Sequence, residues 1–231
     1  TLQIEAWGKN SLRVRARMMG DILDTDYALL PDESNTKAEI QIFNEEKGSQ
    51  IAEIKNGKIT AKVVKARGAS TGRIEFYNHK NELLLQEIDG GGALKLKARA
   101  FKPIIGGDYK LTVTFAENEE KLYGMGQYQQ EIFDLKGCTL ELAHRNSQAS
   151  VPFLYSSKGY GFLWHNPAIG KATFAKNKTE WIAESTKQMD YWITAGDTPS
   201  EILEAYGKAT GTVPMMPEYG LGFWQCKLRY Y

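Results

Sequence analysis

Leu12, Val14, Ala16 and Met18 alternate with Arg13, Arg15 and Arg17. That period of two suits a strand, whereas a helix would scatter the same apolar side chains around its circumference. The stretch predicts a half-buried antiparallel strand. The pattern returns at Leu94, Leu96 and Ala98 against Lys95, Lys97 and Arg99, and again at Leu111, Val113 and Phe115. A chain patterned in this way must pair strands and bury one face of each, so the expectation is a mainly β chain forming an antiparallel β-sandwich from about Leu2 to Ile193. Its 231 residues do not by themselves force a division into domains. The recurring cationic faces have two readings, phosphate grips or solvated faces that discourage edge-to-edge pairing. Interleaved acidic residues and the lack of aromatic stacking partners favour the solvated reading. A formal charge of +1 supplies no field to attract a polyanion, so no nucleic-acid partner is expected. No apolar run approaches the roughly 20 residues of a membrane span, so no membrane partner is expected either.

Local signals refine the pattern. Residues 73–77 and 83–88 flank the polar turn Asn78-His79-Lys80-Asn81, which predicts a hairpin. Asp89-Gly90-Gly91-Gly92 breaks the chain, and with no helix pattern behind it is a loop and not a phosphate cradle. A second hairpin joins 151–155 to 160–164 through Ser156-Ser157-Lys158-Gly159, and further strands are expected near 171–174, 180–183 and 189–194. One helix is signalled, from about Pro199 to Ala209. Thr198 is placed to cap it, Pro199 holds the first helical position, and Glu201 is spaced to close a capping box. Many strands, one helix and then a fresh apolar run describe a sandwich handing the chain to a second domain.

Residues able to carry chemistry are present but unassembled. His79, His144 and His165 show no metal-ligand spacing, so neither a metal site nor a cofactor is expected. Ser156 and Ser157 lack the glycine-flanked elbow of a hydrolase nucleophile. The Gly-x-Gly of Tyr123-Gly124-Met125-Gly126-Gln127 follows no βαβ pattern and lacks a third glycine, so it reads as a tight turn at the sandwich rim. Asp21, Asp24 and Asp26, or Glu131 and Asp134, can be paired on paper as acid and base. Without a supporting motif they are turn caps and surface charges.

The most informative stretch is 217–231. Pro217 ends what precedes it, Gly220 and Gly222 allow close backbone approach, and Leu221, Phe223 and Trp224 form the short apolar run of a strand covered on both faces. Gly-Phe-Trp-Gln-Cys-Lys-Leu-Arg-Tyr, residues 222–230, resembles the first barrel strand of glycoside hydrolase family 31, the α-glucosidases and α-xylosidases. The resemblance extends to Tyr123-Gly124-Met125-Gly126-Gln127 and to Gly159-Tyr160-Gly161-Phe162-Leu163-Trp164. It implies a galactose mutarotase-like sandwich over 1–196, a helix and linker over 197–216, and over 217–231 the first strand of a (β/α)8 catalytic barrel. A complete barrel needs about 250 residues, and the family's catalytic aspartates lie on barrel loops after the first strand. The resemblance therefore places no catalytic residue in this chain. It implies instead a segment of a retaining α-glycosidase that shapes the pocket rim, is inactive alone, and has as partners an α-linked oligosaccharide or glycoside and the remainder of the barrel.

Two segments correspond to sugar-facing parts of that family. Residues 143–150 match a loop that touches the leaving-group sugar, which makes Arg145, Asn146 and Ser147 candidate substrate contacts; as residues alone, they are equally an ordinary solvated connection. Tyr230 matches a tyrosine lining the pocket of the nonreducing sugar, where a ring face meets C–H groups and a hydroxyl meets oxygens. Many α-glucosidases of the family carry Gly-Tyr at the position of Arg229-Tyr230, and Trp224-Gln225 is closer to the α-xylosidase branch. The rival reading is a stand-alone carbohydrate-binding or scaffold sandwich, with Trp7, Trp164 or Trp181 as a stacking platform. Cys138 and Cys226 stand far apart and read as reduced thiols, favouring a cytoplasmic setting. Thr1 is not an initiator methionine, so the lack of an opening signal segment leaves the compartment open.

Overall fold

The computed structural model describes residues 1–32, 36–44, 50–65, 72–89 and 96–225. Their strands are β1 (Leu2–Ala6), β2 (Ser11–Ala16), β3 (Glu39–Asn44), β4 (Gln50–Asn56), β5 (Ile59–Lys65), β6 (Arg73–Asn78), β7 (Leu83–Gln86), β8 (Arg99–Pro103), β9 (Tyr109–Ala116), β10 (Leu122–Gln127), β11 (Thr139–Leu142), β12 (Ala149–Ser156), β13 (Tyr160–Trp164), β14 (Gly170–Phe174), β15 (Lys178–Thr186) and β16 (Met189–Ala195). One α-helix follows, α1 (Pro199–Thr210), then a 3-10 turn at Glu218–Leu221. The strands form a first sheet in the order β1-β2-β16-β13-β12-β10, a second in the order β11-β14-β15-β9-β8, and a third in the order β3-β4-β5-β6-β7. Every pairing among named strands is antiparallel. The mainly β, multi-sheet sandwich with one late helix is the fold that the alternation predicts.

The first sheet is covered on both faces. Leu12, Val14, Phe162, Tyr191 and Ile193 face the main core with Phe115, Phe174 and Trp181 of the second sheet and Ile59, Ile74 and Phe76 of the third. Phe162 stacks between Trp181, at 5.1 Å, and Tyr191, at 4.9 Å. Each of these side chains contributes on the order of 1.5–3 kcal/mol by leaving water. On the other face Phe153, Leu163 and Trp192 meet Leu29 and, from α1, Ile202 and Ala209. The helix can come this close because position 161 is glycine: a Cβ there would lie 2.6 Å from the Ile202 Cγ2. Thr198 caps α1 by accepting from the Glu201 amide, whereas the Glu201 carboxylate reaches the Asp197 amide and the Lys58 ammonium instead of closing a box on Thr198.

Both expected hairpins form, β6–β7 and β12–β13. Three expectations need correction. The arginines of β2 are not solvated: Arg13 is fully buried and Arg15 is 5% exposed. The segment after β2 folds back over them, and the Thr25 and Leu23 carbonyls accept from Arg13 and Arg15. Met18, expected inside, lies beyond the end of β2 and is exposed. The strand expected around 94–98 begins only at Arg99, with Leu96 exposed and Ala98 buried; Gly90–Gly92, Leu94 and Lys95 lie outside the described residues. Apart from these three, the apolar run after Pro217 forms a 3-10 turn at Glu218–Leu221 and no strand as far as residue 225, as a barrel strand does without neighbours, since no described strand lies alongside to complete a ladder. Leu221, Phe223 and Trp224 are 74%, 92% and 72% exposed.

Candidate functional site

β10 and β13 end, and β12 and β16 begin, at one rim of the first sheet, and β11 and β15 end at the same side of the second. The loops gathered there include 143–148, which carries the sugar-contact candidates. The glycines of Tyr123-Gly124-Met125-Gly126-Gln127 do not make a rim turn. They lie within β10, where the register with β12 shifts between Gly124 and Gly126. At Gly126, with φ of 86°, a Cβ would stand 2.1 Å from the Ala149 carbonyl oxygen, so only glycine fits the bulge. Met125 has φ of 69° and is fully buried, a left-handed backbone that its packing must hold in place.

The bulge delivers Tyr128 to the loop. Its hydroxyl donates to the Glu141 carbonyl at 2.9 Å and, with its one proton committed, accepts from the Ser150 hydroxyl at 2.8 Å. One side chain thus pins the residues on either side of 143–148. Within the loop the Gln148 amide donates to the Arg145 carbonyl, and Ser147 takes a left-handed φ of 65°. Arg145, Asn146 and Ser147 all face solvent. The Arg145 guanidinium gives Nε and Nη2 to Glu141 Oε2, at 2.9 and 2.6 Å, leaving its remaining edge outward. These three residues come together as a set; Tyr230 lies outside the described residues.

At the same rim lies a charged cluster that the sequence reading missed. Arg13 gives Nε and Nη2 to the two oxygens of Asp190 at 3.1 and 2.7 Å, Nη1 to Asp26 at 2.7 Å, and Nη2 also to the Thr25 carbonyl. Trp7 lies 4.4 Å from the guanidinium carbon, ring face on. Burial pushes the Asp190 carboxyl up to about 6 against the pull of Arg13. Next to them His165 is 2% exposed, and burial, aided by the Arg13 charge, holds it down at about 4. The signal was available, since Asp190 is the acidic member of the apolar β16 and faces Arg15 in register, two residues from Arg13.

The other singled-out residues disperse. His79 sits in the β6–β7 turn and His144 on the 143–148 loop. Among the described residues no three His, Cys, Asp or Glu side chains gather as metal ligands would. Asp134 caps a turn, accepting from the Leu122 and Lys136 amides, and Asp26 serves Arg13. Trp164 and Trp181 are core residues, stacked at 5.7 Å, so neither is a sugar platform. Trp7 is half-buried, with Arg13 on its ring and its indole N–H on the Leu30 carbonyl.

Comparison with known proteins agrees with this geometry. A Pseudescherichia vulneris protein described as a family 31 glucosidase is 52% identical across 99% of this chain and 45% of its own length. An α-xylosidase of Saccharolobus solfataricus is 30% identical over 68% of this chain and 23% of its own length. Among solved structures, a family 31 α-xylosidase from a soil metagenome, complexed with xylose, superposes with a TM-score of 0.89 at 49% identity, covering 99% of this chain and 35% of that one. An Aspergillus niger xylosidase gives 0.77 at 26% identity, covering 99% and 34%. The chain spans less than half the length of each of these relatives. The family described as the glycosyl hydrolase 31 N-terminal galactose mutarotase-like domain matches residues 1–171, and the chain belongs to it.

Proposed function

We propose that this chain is the N-terminal part of a retaining α-glycosidase of the α-xylosidase or α-glucosidase type, acting on terminal α-linked sugars. The observation that carries the reading is the near-complete superposition, at 49% identity, on the α-xylosidase complexed with xylose. Residues 1–196 form the sandwich, 197–216 the helix and linker, and 217–231 enter the catalytic barrel as its first strand. The exposure of Leu221, Phe223 and Trp224 supports that division, because apolar side chains bare in this chain have their cover in a barrel.

The reaction is a double displacement. A barrel aspartate attacks the anomeric carbon while a second protonates the departing oxygen, and water then releases the sugar with its configuration retained. Both carboxylates lie outside these 231 residues. This chain supplies binding: Arg145, Asn146 and Ser147 meet the leaving-group sugar from the rim, Tyr128 positions their loop, and Tyr230 lines the pocket of the nonreducing sugar. The test is release of nitrophenol from nitrophenyl α-xyloside and α-glucoside by the 231-residue chain and by the longer gene product. The longer protein should turn over at least one of them and the chain neither. Turnover by the purified chain, or none by a folded longer protein, would sink the reading.

A further inference from the structure

A cavity of about 470 Å³ opens beside the Arg13–Asp190 cluster, within the usual range of small-molecule sites. Its walls include Tyr27, Asp108, His165, Ser185 and Lys187. His165 Nε2 accepts from the Tyr27 amide at 3.2 Å. A neutral imidazole that accepts at Nε2 carries its proton at Nδ1, and Nδ1 has no partner among the described residues. The Tyr27 ring, 60% exposed, stands 5.5 Å from the His165 ring at 50°, so two aromatic walls meet at an angle. Asp108 Oδ2 accepts from the Ser185 hydroxyl at 2.7 Å, which leaves Oδ1 open, and the Lys187 ammonium has no bonded partner among the described residues.

The free valences select the ligand class. An anion would meet Asp108 and Asp190, and a cation would find the Asp190 oxygens already occupied by Arg13. What remains is one imidazole donor, one ammonium, one carboxylate acceptor and an aromatic face, a set that suits C–H groups on one side of a ring and hydroxyls on its edge. We propose that this cavity binds a neutral sugar ring, a single pyranose or the end of a short oligosaccharide. Tyr27 lies against its C–H face, His165 Nδ1–H and Lys187 donate to its oxygens, and Asp108 Oδ1 accepts from its hydroxyls. The site goes beyond the glycosidase reading and does not rest on it, since every group named belongs to this chain and binding needs no turnover.

The experiment is an amide chemical-shift titration of the 15N-labelled 231-residue chain with D-xylose and, separately, D-glucose, to about 100 mM, well above the millimolar range of weak binding. One of them should give saturable shifts clustered at Tyr27, His165, Ser185 and Lys187. Tyr27→Ala and Asp108→Asn, both at solvent-reaching side chains, should each weaken binding about tenfold while melting like the parent. His165→Phe is avoided because that ring is buried. Absence of saturable shifts with both sugars overturns the proposal. So do shifts centred on 143–148, parent-level affinity in both variants, or the same shifts from glycerol at equal concentration.

Discussion

The strand β2 and the segment 213–224 invert one another. β2 carries two arginines and buries both, whereas the later segment carries Val213, Met215, Tyr219, Leu221, Phe223 and Trp224 and exposes all of them. The difference lies in what surrounds each. Arg13 has Asp190 on the neighbouring strand, Asp26 and Thr25 on the segment folded over it, and Trp7 against its plane, so four of its five donors are used after it leaves water. The apolar segment has a turn hydrogen bond from Trp224 to the Gly220 carbonyl and no strand beside it among the described residues. Burial follows the supply of partners more closely than it follows polarity.

The inversion breaks most visibly at Arg13. Arg13→Ala leaves the Asp190 carboxylate enclosed without its partner and should cost about 3–5 kcal/mol in denaturant-induced unfolding. Arg13→Lys should recover little of that, because one ammonium cannot reproduce the guanidinium fork. A loss below about 1 kcal/mol, the worth of an exposed pair, would show that water reaches the cluster and that β2 is not buried as described.

Glu87 sharpens the comparison, being a fully buried carboxylate that ties the third sheet to the second. It accepts from the Ile74 amide and from Arg99, and its backbone bridges to Phe115. Burial pushes it up to about 7 despite Arg99, from an ordinary value of 4.5. The folded state thus holds this proton more tightly than the unfolded chain does. Its stabilising contribution is complete below about pH 4.5 and is lost as pH rises through about 7. Unfolding free energies at pH 5 and pH 8 should therefore fall more in the parent than in Glu87→Gln, by at most roughly 3 kcal/mol. A parent that instead gains on the variant as pH rises would show that the charged Glu87–Arg99 pair is the favoured form.

Two smaller effects bound the contrast. Tyr128→Phe removes one hydroxyl from two hydrogen bonds at the base of 143–148 and should cost about 1 kcal/mol, with faster amide exchange at Arg145–Gln148 and unchanged exchange in β13. Uniform acceleration across the sheets would show that Tyr128 supports the sandwich and not the loop. A chain ending at Met215 should melt within about 2–4 °C of the parent, the shift that about 1 kcal/mol produces at this size, and should be more soluble. A larger fall would place Phe223 and Trp224 in the sandwich.

Local chemistry was legible where it was self-sufficient. The turn at Asn78-His79-Lys80-Asn81, the Ser156–Gly159 hairpin and the Thr198 cap each state their geometry within a few residues, and each forms. The strands near 171–174, 180–183 and 189–194 appear as β14, β15 and β16 because their apolar alternation is clear. The burial of Arg13 depends on Asp190, 177 residues away, and no window along the chain contains that fact. The Gly124–Gly126 bulge was misread as a turn for a related reason, since glycine announces an unusual φ but not the Ala149 carbonyl that demands it. At the candidate site the solvent-facing loop was legible through family resemblance alone, while the Tyr128 tether and the His165 cavity depend on partners from other strands.

The pairing of β2 with β16 also has a consequence in time. Strand β2 lies in the sheet beside β16, in register from Ala16 with Met189 to Ser11 with Thr194, and the ribosome makes the two far apart in time. At about 5–20 residues per second, the β1–β2 hairpin waits roughly 10–40 s for β16 to emerge. Through that interval Arg13 has no Asp190 to bind, and a charged side chain on an unpaired strand edge disfavours edge-to-edge pairing.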